Sequence, residues 1–129
     1  MDETKRPRTM RLGGDIAERL LRFAVEVVRV TRHLPRDQAG RHVAAQLVRA
    51  ATGGGANYEE ARAAESRDDF IHKVGIAGKE VRETLYWLEF IQRSAWTSLE
   101  LSGPIAEACE LAAILGASAR TARARSAKR

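Results

Sequence analysis

Hydrophobic positions recur every three or four residues through most of the chain, which is the spacing of one face of an α-helix. Alternation with a period of two is absent and β-branched residues are sparse, so the pattern predicts no strands. Four segments carry the helical spacing, at residues 15–34, 37–65, 67–94 and 103–120. With short connections between them, they predict an all-α protein folded as an antiparallel up-down-up-down four-helix bundle.

The ends of these segments carry residues that start and stop helices. Asp15, Asp37 and Ser66 are predicted N-caps, because their side-chain oxygens can accept hydrogen bonds from N–H groups of the first turn. Pro35 ends the first helix, since the residue before a proline disfavours the helical conformation. The segment 96–101 is the longest predicted loop.

The second and third helices have contrasting core faces. The second has an unusually small-residue face: Val43, Leu47, Ala50, Ala51, Gly54, Tyr58 and Ala61. The third has a seam with alternating steps of four and three: Phe70, Val74, Ala77, Val81, Thr84, Leu88 and Ile91. A seam of this kind suits nearly parallel or antiparallel packing against neighbouring helices.

The positive charge is concentrated at the two ends of the chain. The net charge is +5; residues 117–129 carry five Lys/Arg and no acid, and residues 1–11 carry four Lys/Arg and two acids. We expect a flexible N-terminal tail over 1–13, the bundle over 14–118 and a disordered basic tail over 119–129, since the ends lack apolar anchors. Basic tails indicate contact with RNA or DNA, although a solubilising tail has the same charge pattern. The predicted contacts are Arg120, Arg123, Arg125, Lys128 and Arg129.

Composition also bears on where the protein works. No run of about 18 uncharged apolar residues is present, so no membrane span is expected, and the N-terminus lacks the apolar core of a secretory signal. Cys109 is the single cysteine and cannot form an internal disulfide. A reducing, cytoplasmic location is therefore expected.

Three features of the sequence are candidate sites of chemistry. Residues 53–55 are three consecutive glycines, but no strand precedes them and no Gly-Lys-Ser follows, as a phosphate-binding loop requires. We instead expect the second helix to continue through them with a bend and a close helix crossing. A metal site from Glu65, Asp69 and His72 lacks the second copy that di-metal bundles use, and Cys109 has no nearby histidine. The sequence therefore predicts no catalytic residues, no cofactor and no metal.

One long stretch resembles a known family. QLVRAATGGGANYEEARAAESRDDFIHKVGIAGKEVRETLYWLEFI is similar to the four-helix-bundle proteins encoded by intervening sequences of 23S ribosomal RNA genes. The matching positions are Gln46, Leu47, Arg49, Ala50, Asn57, Glu60, Ala61, Phe70, Ile71, Lys73, Lys79, Glu80, Glu83, Trp87 and Leu88. The match is strong over residues 35–91. It departs at Gly53 and Gly54, where the family usually has a serine and a β-branched residue.

The resemblance implies a non-enzymatic homo-oligomer, a homopentameric ring, with RNA or DNA as a candidate partner. It also points to the accessory variability determinant of diversity-generating retroelements, so the alternative is a protein adaptor such as an accessory subunit to a reverse transcriptase. No catalytic residues are known for the family. The predicted signature or interface residues are Gln46, Arg49, Asn57, Glu60, Lys73, Lys79, Glu80, Glu83, Tyr86, Trp87 and Phe90.

Three pairings of charges within this set are expected from the sequence. Lys79 and Glu83 are one turn apart and can pair on the surface. Glu80 and Glu60 are expected to pair with Arg49 or Lys73 in buried ion pairs. Tyr86 and Phe90 lie opposite the core seam, so a subunit interface is predicted to cover them.

Overall fold

The computed structural model describes residues 13–128 and contains four α-helices. They are α1 (Gly14–Val30), α2 (Gln38–Arg62), α3 (Arg67–Ser94) and α4 (Ser102–Ala127), and a 3₁₀ turn, Thr31–His33, extends α1. No strand is found over this range, which confirms the predicted all-α fold. Successive helices pack side by side, α4 returns to touch α1, and the longest loop is the predicted one between α3 and α4.

Two of the predicted N-caps are confirmed and one is wrong. The Asp37 carboxylate accepts a hydrogen bond of 2.8 Å from the Gly40 N–H, and the Ser66 hydroxyl accepts one of 3.0 Å from the Asp69 N–H. Asp15 does not cap α1. The cap is Gly13, whose φ of 75° lies in the left-handed region that glycine tolerates, and Asp15 lies in the first turn. There its carboxylate still faces the positive end of the helix dipole.

The core is formed by the apolar faces that the periodicity predicted. In α3, Phe70 is half-buried and every other member of the predicted seam is buried. Thr84 is the one buried polar side chain of the described core, and its hydroxyl donates to the Glu80 carbonyl at 2.8 Å. The largest fully buried side chains are Phe23, Leu20, Leu47, Leu88, Ile91, Leu111 and Leu115, together with Val27, Val74 and Val81.

The three consecutive glycines lie within an unbroken α2, as predicted, and they bring α2 close to its neighbours. A Cβ on Gly54 would lie 3.0 Å from Val81 Cγ2 of α3, and one on Gly53 would lie 2.9 Å from Glu80 Oε2. Close backbone approach therefore offsets the cost of glycine in a helix, which is about 1 kcal/mol per residue relative to alanine. The predicted bend in α2 stays a prediction.

Helix α4 is longer than the sequence predicted. Its end was expected near residue 120 with a disordered tail from 119, but the helix runs to Ala127. Ala119 and Ala122 are buried and continue the α4 seam, and alanine and arginine are strong helix formers. At the other helix ends, α2 stops at Arg62 rather than 65. Residues 1–12 of the predicted tail over 1–13 and the last residue, Arg129, lie outside the described part of the chain, whereas Gly13 caps α1.

Candidate nucleic-acid and subunit interfaces

A ladder of polar side chains crosses the outer surface where α2 packs on α3. Arg49 of α2 pairs with Glu80 at 3.2 Å and with Glu83, both on α3, and also donates to the Gln46 side chain at 3.1 Å. Glu83 in turn accepts a hydrogen bond of 3.1 Å from the Trp87 indole. Gly53 leaves the room that the Glu80 carboxylate occupies, since a Cβ there would meet it. These residues form one connected network that fixes the register of α2 against α3.

Three more signature residues of the sequence lie further along the same surface. Lys73 pairs with Glu60 at 3.5 Å, and the Asn57 side chain donates to the Gly53 carbonyl at 2.9 Å, within α2. The Lys73–Glu60 and Arg49–Glu80 pairings are therefore as predicted. Their predicted burial is wrong, because the Glu60 side chain is 60% exposed and that of Arg49 is 50% exposed.

Lys79 does not join this ladder. It was expected to pair with Glu83 one turn further on, but Glu83 points toward α2 and is engaged by Arg49 and Trp87. Lys79 instead lines a cleft on the side of α3 that faces α4, with Arg82. The i,i+4 spacing alone favoured the wrong partner, because a cation on the neighbouring helix is closer to the carboxylate.

A row of aromatic rings extends from the ladder toward the end of α3. Trp87 meets His42, Tyr86 and Phe90 edge-on at centroid distances of 6.0, 4.9 and 5.8 Å, and Phe90 meets Trp96 at 5.5 Å. Tyr86 is 59% exposed and Phe90 38% exposed, so the row offers apolar surface to solvent. His42 and Trp96 were missed by sequence reasoning, since they come from α2 and from the loop before α4.

The cleft that Lys79 lines is formed between α3 and α4. Its cations are Lys79 and Arg82 of α3 with Arg120 and Arg123 of α4, and no acidic side chain lines it. Arg120 and Arg123 were predicted contacts for nucleic acid, whereas Arg82 was missed. The signal for Arg82 was its position three residues after Lys79, which places both on one face of a helix.

The remaining predicted contacts lie on the last turns of α4. Arg125 and Lys128 are exposed there, and no ion pair of theirs is seen within residues 13–128. Arg129 is not among the described residues. The cations near this helix end also interact favourably with the negative end of the helix dipole.

A second polar contact holds α4 against α1. The Arg19 guanidinium binds Glu107 through two hydrogen bonds of 2.6 and 3.2 Å and lies 3.1 Å from Glu110. These bonds raise the pKa of Arg19 above its ordinary value, with the hydrogen bond to Glu107 as the main cause. This pairing was not predicted, and it links two helices that otherwise have the thinnest contact in the bundle.

The described part of the chain has few other features that could support chemistry. No three His, Cys, Asp or Glu side chains between residues 13 and 128 are grouped so that they could hold a metal ion. Cys109 is exposed on α4. Within the same residues, no helix is both long and apolar enough to pass through a bilayer. Burial raises the pKa of Tyr58, which packs beneath Gly13, and nearby Arg62 partly opposes that rise.

Comparison with known proteins agrees with this architecture. Residues 15–117 match the family model described as 23S rRNA-intervening sequence protein. The crystal structure of a protein of unknown function from the S23 ribosomal protein family of Bacteroides thetaiotaomicron is 36% identical, with a TM-score of 0.71. The match covers 78% of this chain and 94% of that one. No curated protein matches the chain. Because the family model spans most of the sequence, including all of α2 and α3, this chain belongs to the 23S rRNA-intervening sequence protein family.

Proposed function

We propose that this protein is a non-enzymatic, self-associating bundle that binds the phosphate backbone of RNA or DNA through the C-terminal turns of α4. The observation that carries the proposal is the helical order of these turns. Arg120, Arg123, Arg125 and Lys128 stand on a helix that is anchored by buried Ala119 and Ala122. None of the four cations is paired with a carboxylate inside residues 13–128. They are therefore free to neutralise phosphates, and a fixed helix loses less entropy on binding than a disordered tail would.

Self-association would multiply these contacts. A homo-oligomer presents one basic helix end per subunit, and several weak phosphate contacts on one body raise avidity without a base-specific pocket. Binding of this kind depends strongly on salt and little on sequence. The homopentamer implied by the family resemblance is part of this proposal.

The test is a titration of labelled single-stranded RNA at 50 and 200 mM salt. The variant is R120Q/R123Q/R125Q/K128Q, and the matched control R29Q/R32Q/R36Q/R93Q removes the same charge from exposed arginines near the opposite end of the bundle. For single strands, four lost phosphate contacts lower the slope of log affinity against log salt by about 2.8. Equal slopes for the variant and the control, or negligible binding by the unmodified protein, would refute the proposal.

A second candidate function is that of a protein adaptor, such as an accessory subunit to a reverse transcriptase. The exposed aromatic row favours it, because aromatic side chains are enriched at protein interfaces. Light-scattering mass separates the two uses of this row. If the unmodified protein has the mass of five chains and the Y86S/F90S variant has a lower mass, the aromatic row serves self-association. A strict monomer at micromolar concentration contradicts the oligomer and favours a foreign protein partner.

A further inference from the structure

The floor of the cleft between α3 and α4 is formed by three glycines together with the apolar side chains of Val74, Ala112, Leu115 and Ala119. Gly75 and Gly78 of α3 and Gly116 of α4 line it, and its volume is about 200 Å³. A Cβ on Gly75 would meet nothing within 4 Å, so packing within the bundle does not require glycine there. Because one water occupies about 30 Å³ of liquid, this volume has room for roughly six waters, or for a compact anion with part of its hydration shell.

Four cations surround this floor and come from both helices. Lys79 and Arg82 of α3 and Arg120 and Arg123 of α4 line the cleft, and no carboxylate of the described chain pairs with them. The acids nearest to Lys79 and Arg82 in sequence, Glu80 and Glu83, are engaged by Arg49 of α2. Like charges grouped in this way repel one another, so the arrangement gains stability when an anion enters.

The shape and the donors together select the class of ligand. Three guanidinium groups present planar donor forks that match the oxygens of a phosphate, and Lys79 adds a mobile point charge. At Gly75, where an added Cβ would meet nothing within 4 Å, a tetrahedral group can approach the helix backbone, and a larger side chain would hold it away. The four cations disfavour an apolar ligand. No acidic side chain lines the cleft, so it offers no carboxylate to bind a metal cation.

We propose that the α3–α4 cleft seats one phosphodiester group of a bound nucleic-acid strand, held by Lys79, Arg82, Arg120 and Arg123 over its floor. This inference rests on the proposed function and gives it a defined anchor point. The exposed Arg125 and Lys128, beyond the cleft on α4, then contact neighbouring phosphates of the same strand. The cleft sets where the strand lies, and the helix end adds affinity.

Two kinds of variant test the cleft without touching the last turns of α4. K79Q/R82Q removes its α3 cations, and R29Q/R93Q removes the same charge elsewhere. G75L fills the floor and leaves every charge in place, while G103L adds the same side chain at another open glycine, in the first turn of α4. Leucine is a better helix former than glycine, so a melt followed by circular dichroism should show G75L folded and at least as stable as the unmodified protein.

The readout is the affinity for a labelled ten-nucleotide single-stranded RNA in 0.1 M salt. Two lost phosphate contacts lower the slope of log affinity against log salt by about 1.4. Over the decade from 1 M to 0.1 M salt, that change of slope corresponds to about a 25-fold loss of affinity. We expect that loss in K79Q/R82Q, a comparable loss in G75L, and less than about a twofold change in R29Q/R93Q and G103L, whose sites carry none of these contacts.

The outcomes separate this inference from the proposed function. If R125Q/K128Q weakens RNA binding but K79Q/R82Q and G75L behave like their controls, nucleic-acid binding stands and the cleft assignment is overturned. If the unmodified protein binds no RNA, both fail. Inorganic phosphate serves as a separate probe. If it raises the melting temperature of the unmodified protein but not of G75L, while RNA binding is unaffected by G75L, the ligand is free phosphate and the backbone assignment is overturned.

Discussion

Replacing Gly54 with alanine tests how closely α2 and α3 approach each other. The added methyl group would lie 3.0 Å from Val81 Cγ2, closer than an ordinary van der Waals contact. Val81 is fully buried and β-branched, so its side chain has one strongly preferred rotamer in a helix and little room to move away. Overpacking of a tight core costs about 1–3 kcal/mol.

The same substitution also has a favourable part, which a neighbouring glycine isolates. Alanine gains about 1 kcal/mol over glycine in a helix interior. At Gly55 the new Cβ would lie 3.6 Å from Leu20 Cβ, an ordinary contact, so G55A should stabilise the protein by about that amount. G54A has the same favourable gain, but the overpacking cost is subtracted from it. The free energy of unfolding should therefore fall by up to about 2 kcal/mol. The two variants are therefore expected to differ by about 1–3 kcal/mol.

The assay is urea unfolding followed by far-ultraviolet circular dichroism, at one fixed protein concentration because association shifts apparent stability. Combining G54A with V81A supplies an internal check. Removing the crowded methyl groups of Val81 should turn the effect of G54A from destabilising to neutral or stabilising. If G54A and G55A stabilise equally, within about 0.5 kcal/mol, the close α2–α3 approach at Gly54 is refuted.

Three further predictions follow from single contacts. R19Q breaks the half-exposed pairing of α1 with Glu107 and should lower the free energy of unfolding by about 1 kcal/mol, and a double-mutant cycle with E107Q should show coupling between the two sites. The raised pKa of Tyr58 favours its protonated form in the folded state, so its contribution to stability should be full below the ordinary tyrosine pKa of about 10 and be lost as pH rises from there through the raised pKa of the folded state. Unfolding curves of Y58F should lack that part of the decline. Amide hydrogen exchange should show residues 51–58 protected for much longer than seconds, and fast exchange there would contradict a continuous α2.

At Gly53 and Gly54 the family resemblance leads one to expect a serine and a β-branched residue, and the structure shows what those side chains would meet. A β-branched residue at Gly54 would meet Val81, and a serine at Gly53 would meet the carboxylate that Glu80 extends toward Arg49. The glycines therefore go together with an α2–α3 contact that leaves no space for those side chains. The sequence predicted a close helix crossing at these glycines but not its partners, because which residues of α3 they meet depends on how the two helices pack.

Sequence alone determined the features of this protein that depend on local spacing. Four helices, the seam of α3 and the caps at Asp37 and Ser66 all follow from periodicity and first-turn chemistry within a few residues. The identities of the α2–α3 signature residues also pointed to the family, and the pairing of Arg49 with Glu80 was foreseen.

Tertiary structure decided which charges meet and where α4 ends. Lys79 lies 41 positions before Arg120, and they share a cleft only because α4 packs antiparallel to α3. The burial of Ala119 and Ala122 could not be predicted from this segment alone, because its side chains are small and few of them are apolar. A helix of alanine and arginine becomes stable when a neighbouring helix buries one of its faces, and that neighbour is fixed by the packing of the whole bundle.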